Sequence, residues 1–201
     1  MVDKKQILDL VMTYFGYDAD GAVKFSVSDS GLVNVYEVEP NRGLLRTNLN
    51  QNFPRGELPF EFGEFHASLL WKGSKLQSLK GFPKRIAGSF MCRNCNWNNF
   101  VHGPQQVDGL FSVYQTKKLK NLDGFPDRVG GFANLPYHKD LPLLRLLNCQ
   151  KGVLLRSDDT FTKPIVDIIE KYIQAHEQGQ SAVIACAAEL AAAGFKGNAR
   201  W

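Results

Sequence analysis

The sequence predicts an α+β chain built on a short β-solenoid of about four 21–22-residue units, capped by an N-terminal helix and hairpin and a C-terminal helical pair. Three observations predict it. Gly-Phe-Pro stands at Gly81–Pro83 and again at Gly124–Pro126, with His102-Gly103-Pro104 midway, so the prolines are 21 and 22 residues apart. Apolar residues keep the same step in further columns, described below. After Leu155 the apolar spacing changes from that of a strand to that of a helix. A period of this length marks stacked repeats, in which each unit covers the apolar edge of the next.

Six columns carry the period. They are Leu58/Leu79/Phe100/Leu122/Leu144, Phe65/Ile86/Val107/Val129, Ala67/Gly88/Gly109/Gly131, Leu69/Phe90/Phe111/Ala133, Trp71/Cys92/Val113/Leu135 and Leu76/Trp97/Leu119/Leu141. Each unit reads Leu-x-x-Leu, then Gly-aromatic-Pro or a variant, then an alternating segment such as Ile86–Cys92 in which every second side chain belongs to a column. That alternation is the signature of a half-buried strand. Proline sets the turn before it, where its missing N–H is harmless. The column that is glycine in three of four turns predicts close backbone packing or a bulge. Stacked units would align the columns as ladders at roughly 4.8 Å per strand. No unit carries a helical pattern, so the back is expected to be extended chain or a 3₁₀ turn.

The flanks differ. Asp3 followed by Gln6 resembles a capping box, and Ile7, Leu8, Leu10, Val11, Tyr14 and Phe15 mark a short amphipathic helix ending near Gly16. Val23–Val27 and Val33–Tyr36 alternate about Asp29-Ser30-Gly31 and read as a hairpin. Residues 40–57, rich in Asn, Arg, Gly and Pro, read as an irregular insertion. Pro164 suits a first helical turn, and Ile165, Ile168, Ile169, Tyr172 and Ile173 form one stripe that Gly179 should end. Ser181 is the expected cap of a second, alanine-rich helix over Ala182–Ala193. The segments are therefore 1–57, a helix, hairpin and irregular cap; 58–155, the solenoid; and 156–201, a helical cap covering an otherwise open edge.

Composition excludes several classes. The chain has 201 residues, 44% apolar and 22% charged, which suffices for a core and argues against wholesale disorder. No apolar run approaches the roughly 18–20 residues of a membrane span, and the N-terminus lacks the pattern of a signal peptide. A soluble, intracellular protein with no membrane partner is the expectation.

The repeat Leu-x-Ser-Leu-x-Gly-x-Pro-x-x-Ile-x-Gly-x-Phe-x-Cys at Leu76–Cys92 resembles short leucine-rich-repeat-like proteins of tailed bacteriophages, and the closing Ala193-Gly194-Phe195-Lys196-Gly197-Asn198-Ala199-Arg200-Trp201 is similar to that family's tail. The resemblance implies a leucine-rich-repeat-like solenoid and an intracellular phage accessory protein without an established enzymatic role. Two units depart from the pattern: the third has Trp97, Phe100 and His102 where Leu, Leu and Gly are expected, and the fourth has Ala133 in an aromatic column.

No chemistry-bearing motif stands out. Cys92-Arg93-Asn94-Cys95 is a lone Cys-x-x-Cys, whereas zinc needs about four ligands; with Cys92 in a core column, buried reduced thiols are expected for all four cysteines rather than a metal site. His66, His102, His138 and His176 lie in different contexts, and there is no phosphate-binding loop, dinucleotide fingerprint or His-Glu-x-x-His. No catalytic residue, cofactor ligand or metal ligand is assigned. Between Leu58 and Asp140, eleven Lys/Arg face six Asp/Glu, an excess of five positive charges in a chain of net charge +4.

The outward strand positions supply the candidate partner-binding residues: Leu70, Lys72, Met91, Arg93, Leu110, Tyr114 and Phe132. Aromatics, Met and Arg are the types enriched at interface cores, although the terminal helices could cover this face instead. The expected function is non-enzymatic binding, and inhibition, of a host protein, such as one of anti-phage defence, in the host cytoplasm. The rival expectations are a virion or self-assembling component and a nucleic-acid binder using the basic repeat surface.

Overall fold

The computed structural model describes residues 3–15, 22–38, 43–46, 56–72, 75–116, 118–156 and 162–201. It is α+β, with three α-helices and a β-solenoid of about five turns of parallel strands. Helix α1 (Lys4–Phe15) opens the chain, and the Gln6 N–H donates to Asp3 Oδ1 at 3.0 Å as an N-cap. Strands β1 (Val23–Val27) and β2 (Val33–Glu37) form the expected antiparallel hairpin. Strand β4 (Phe62–His66) pairs parallel with β2 and joins the hairpin to the solenoid. Val11, Tyr14 and Phe15 of α1 are buried; the Phe15 ring meets Phe62 and Trp71, each at 5.6 Å, and so closes the first turns.

The main sheet has six parallel strands in the order β12-β11-β9-β7-β5-β3. They are β3 (Leu44–Arg46), β5 (Ser68–Lys72), β7 (Phe90–Arg93), β9 (Phe111–Tyr114), β11 (Phe132–Pro136) and β12 (Gly152–Arg156). A second parallel sheet, β10-β8-β6, consists of β6 (Arg85–Ile86), β8 (Gln106–Val107) and β10 (Arg128–Val129). The columns align in register: Ile86 faces Val107, Val107 faces Val129, and Phe111 lies between Phe90 and Ala133.

Two corrections follow for the extent of the repeat. The segment expected as an irregular insertion, 40–57, contributes β3, whose Leu45 pairs with Leu69 and extends that column by one turn. Its residues 40–42 and 47–55 lie outside the described residues. At the other end β12 pairs in register with β11, so Val153 continues the column past Ala133. The stack thus has about five turns rather than four.

A third correction concerns the strand itself. The alternating segment Ile86–Cys92 is two short strands in different sheets, broken at the glycine column. A Cβ on Gly109 would lie 2.9 Å from the Gly88 carbonyl oxygen, and one on Gly131 would lie 2.7 Å from that of Gly109. Only a residue without a side chain lets consecutive turns stack backbone on backbone there. The bend is still hydrogen-bonded: the N–H of Gly88, Gly109 and Gly131 donate to the carbonyls of Ala67, Gly88 and Gly109 at 3.2, 2.9 and 3.0 Å. Ser68 Oγ accepts from the Ser89 N–H at 2.9 Å and Ser89 Oγ from the Leu110 N–H at 3.0 Å, so these serines serve the bend.

The irregular third unit repacks the core. Phe82 and Phe125 fill their turns from the Gly-aromatic-Pro step; in the third unit that place is Gly103, and the ring comes from Phe100, three residues earlier. Phe100 is fully buried, 5.3 Å from Phe111 and 6.1 Å from Phe125. Trp97 stacks on Phe90 at 6.1 Å and 19°. His102 adopts φ 70°, the left-handed conformation that glycine holds at Gly81 and Gly124. One aromatic is thus moved, not lost, and the substitutions at Trp97 and Phe100 face inward.

The C-terminal edge departs from expectation. Helix α2 (Lys163–Lys171) stops at Tyr172, so Tyr172 and Ile173 lie beyond it, and a 3₁₀ segment (Ala175–Gln178) intervenes before α3 (Gln180–Ala192). Gly179, not Ser181, is the N-cap of α3; Ser181 sits inside the helix. The apolar stripe of α2 still packs as expected, with Ile165 and Ile169 buried. Helix α2 lies on β12 and satisfies its free edge with side chains: the Val153 N–H donates to Glu170 Oε1 at 3.1 Å, and Thr162 Oγ1 donates to the Leu155 carbonyl at 2.8 Å. The tail then clasps the preceding turn. Asn198, almost wholly buried, donates through Nδ2 to the carbonyls of Leu141 (2.8 Å) and His138 (3.2 Å), while the Leu143 N–H donates to its own carbonyl at 3.0 Å.

Candidate functional site

Parallel in-register strands place every second residue of the main sheet on its outer face, in rows that run across the turns. One row is Leu70, Met91, Ser112, Asn134 and Leu154. Its neighbour carries Leu110 and Phe132. A third row, where the strands end, is Lys72, Arg93, Tyr114, Pro136 and Arg156. The structure therefore brings all seven sequence-derived candidates onto one face.

Leu70, Met91, Leu110 and Tyr114 are half-buried, Lys72 and Arg93 are exposed, and Phe132 keeps 43% of its surface accessible. Leu154, 48% exposed, extends the apolar row by one turn and was not among the candidates, because its strand lacks the Gly-aromatic-Pro signal that marks the others. Arg156 was missed for the same reason. The terminal helices pack at the ends of the stack, α1 beside β1 and α2 beside β12. Ser68 and Ser89, in the same row as Leu110 and Phe132, are tied into the backbone as described, which leaves Leu110 and Phe132 as its contact-capable members.

The third row is electrostatically distinct. The Arg93 guanidinium lies 5.1 Å from the centre of the Tyr114 ring and that of Arg156 lies 5.5 Å from it. Arg93 also donates to Gln115 Oε1 at 3.4 Å. Cation–π contacts of this kind contribute about 0.5–1 kcal/mol each at exposed sites and hold the tyrosine in place. The described residues offer neither guanidinium a carboxylate partner.

Elsewhere, two carboxylates are held in ion pairs between elements. Burial tends to raise the Asp108 carboxyl, but bonds from Arg85 (2.8 Å) and Gln106 (2.6 Å) with the nearby Arg128 charge hold it below its ordinary value. Arg85 and Asp108 belong to adjacent turns, so the pair ties β6 to β8. Lys171 and the Tyr172 hydroxyl, each 2.7 Å from Glu189, lower that carboxyl and join α2 to α3.

The histidines are dispersed. His66 stacks on Tyr36 at 5.5 Å and lies 3.5 Å from Glu64; His102 is exposed; His138 Nε2 lies 3.0 Å from the Leu119 carbonyl. The side chain of His176 is outside the described residues. Among the described residues no three His, Cys, Asp or Glu cluster as metal ligands, and no helix is long and apolar enough to cross a membrane.

The cysteines divide. The side chains of Cys92 and Cys95 meet, with Cα atoms 6.4 Å apart, which places these two thiols for a disulfide where reduced thiols are expected. The turn at Asn94, with φ 58°, folds Cys95 back toward the strand end. Cys149 and Cys186 are free and buried, and burial pushes their thiols up to about 12 and about 11 respectively.

Fold and face together define a class, that of a parallel β-solenoid presenting one open, mixed apolar and cationic sheet face. Compared with known proteins, the chain matches no family model, and no curated protein and no solved structure shows significant similarity to it.

Proposed function

We propose that the chain is a non-enzymatic binding module that docks a partner protein on the outer face of the main sheet. The observation that supports this most is the exposure of large apolar side chains on a face built from rigid, in-register strands, notably Phe132 and Leu154 beside the arginine-flanked Tyr114. Large apolar and aromatic groups next to Arg are the composition of interface cores. A sheet that is ordered before binding loses little conformational entropy when it docks. The resemblance of the repeat and tail to leucine-rich-repeat-like phage proteins supplies the setting: the repeat is read as leucine-rich-repeat-like, the location as the host cytoplasm, the partner as a host protein of anti-phage defence, and the outcome as its inhibition.

The test is affinity purification from bacterial lysate with the tagged chain and with Tyr114→Ala and Phe132→Ala variants. A partner retained by the wild type should be lost by the variants, each anchor being worth on the order of 2 kcal/mol. A partner retained equally by all three does not use this face.

A further inference from the structure

We propose that a groove on another side of the solenoid, beyond the ends of the main-sheet strands, binds a small, multiply phosphorylated ligand of nucleotide size. The groove, about 920 Å³, is built from consecutive turns just after their strands: Lys75 and Gln77, then Asn96 and Asn98, then Lys118, Leu119 and Lys120, with His138 from the next turn. Among the described residues its lining is three lysines, three carboxamides and a histidine over one leucine, with no carboxylate.

None of the three lysines makes an ion pair with a described residue; the pairs that do form, such as Lys80–Glu57 and Arg85–Asp108, lie outside the groove. Like charges gathered in a concave wall focus a positive potential, which an incoming anion relieves. Lysine is a point-charge ligand for phosphate, and carboxamides both donate to and accept from sugar hydroxyls and base edges. The carbonyl of Leu119 can only accept, so His138 carries its proton on Nε2 and is fixed as part of the wall. Backbone bonds between turns hold the frame: the Lys120 N–H donates to the Asn98 carbonyl and the Gln77 N–H to that of Gly56, both at 2.8 Å.

Size and lining favour a small ligand over a strand of nucleic acid. The volume lies in the range of small-molecule sites, and no aromatic ring among the described residues lines the groove to stack successive bases. The site is separate from the sheet face, so it stands or falls independently of the protein-docking reading.

Isothermal titration of the purified full chain with inorganic tripolyphosphate, ATP and a single-stranded thymidine oligonucleotide tests the proposal. The expected result is saturable binding of tripolyphosphate and ATP that weakens as salt is raised. It should fall at least about tenfold in a Lys75→Gln/Lys118→Gln/Lys120→Gln variant, because each substitution removes a charge-assisted contact. Lys163→Gln, on α2, should bind as the wild type does. All three groove lysines are exposed, and an unchanged melting temperature verifies that the triple variant is folded. Failure of both small probes to saturate at millimolar concentration, equal binding by the triple variant, or binding of the oligonucleotide alone would each overturn the proposal.

Discussion

The inner turns and the C-terminal edge of this molecule are held together by different means. Between Leu58 and Leu135 the same few contacts recur: apolar columns, a backbone ladder at the glycine bend, and aromatic rings 5–6 Å apart such as Phe90–Phe111 at 5.2 Å. Beyond Tyr137 the columns continue only through β12, and the edge is closed by contacts that do not recur. Glu170 and Thr162 satisfy the edge of β12, Asn148 Nδ2 donates to the Pro126 carbonyl at 3.0 Å, and Asn198 fastens the tail. Repetition can extend a stack but cannot end it, because the last turn has no successor to receive its hydrogen bonds. Termination therefore rests on single polar side chains.

This contrast makes ordered predictions. Phe90→Ala should be the most damaging, at about 3–5 kcal/mol by chemical denaturation, since the ring is fully buried and meets Phe82, Trp97 and Phe111. Asn198→Ala comes next, at about 2–3 kcal/mol, because it leaves the buried carbonyl of Leu141 without its donor. An Asn198→Ala loss equal to that of Phe90→Ala would erase the distinction between edge and interior. Glu170→Ala should lose about 1–2 kcal/mol by freeing the Val153 N–H, with Glu170→Gln retaining most of the stability.

Thiol labelling sharpens the same contrast. With their thiols pushed up to about 12 and about 11, Cys149 and Cys186 should resist maleimide at pH 8 in the native protein. Asn198→Ala should speed labelling of Cys149, which lies in the turn that the tail holds; an unchanged rate would show that the tail does not guard that edge. The smallest effect belongs to the Arg85–Asp108 pair. Its carboxyl is held below the ordinary value of 3.8, so its contribution is present above that pH and is lost as the pH falls below it. Asp108→Asn should therefore destabilise by less than about 1 kcal/mol at pH 7, and the gap to the wild type should narrow as the pH falls below 3.8.

What the sequence disclosed follows the same division. The columns were readable because each is sampled in four or five turns, and stacking forces like residues together. The break at Gly88 was not, because alternation continues through it: Ile86 and Phe90 both point inward although they belong to different sheets. Strands β3 and β12 share the columns through Leu45 and Val153 but lack the turn signal, so they escaped the count. Asn198 could not be recognised at all; its partners are 57 and 60 residues away, and nothing local distinguishes it from an exposed polar residue. For the sheet face, alternation named the outward residues, but whether helices cover them is a property of packing. The groove lysines, at 75, 118 and 120, keep no fixed step and became a cluster only when the turns stacked.

Native-state hydrogen exchange followed residue by residue measures the two regions side by side. The amides of Gly88 and Gly109, each bonded to the turn before, should exchange only through global unfolding. Those of Leu143 and Leu144, bonded to the carbonyls of Asn198 and Arg200 in the tail, should exchange faster through local release of the tail. Gly88 and Gly109 exchanging as fast as Leu143 would contradict a solenoid whose turns are stacked into one cooperative core.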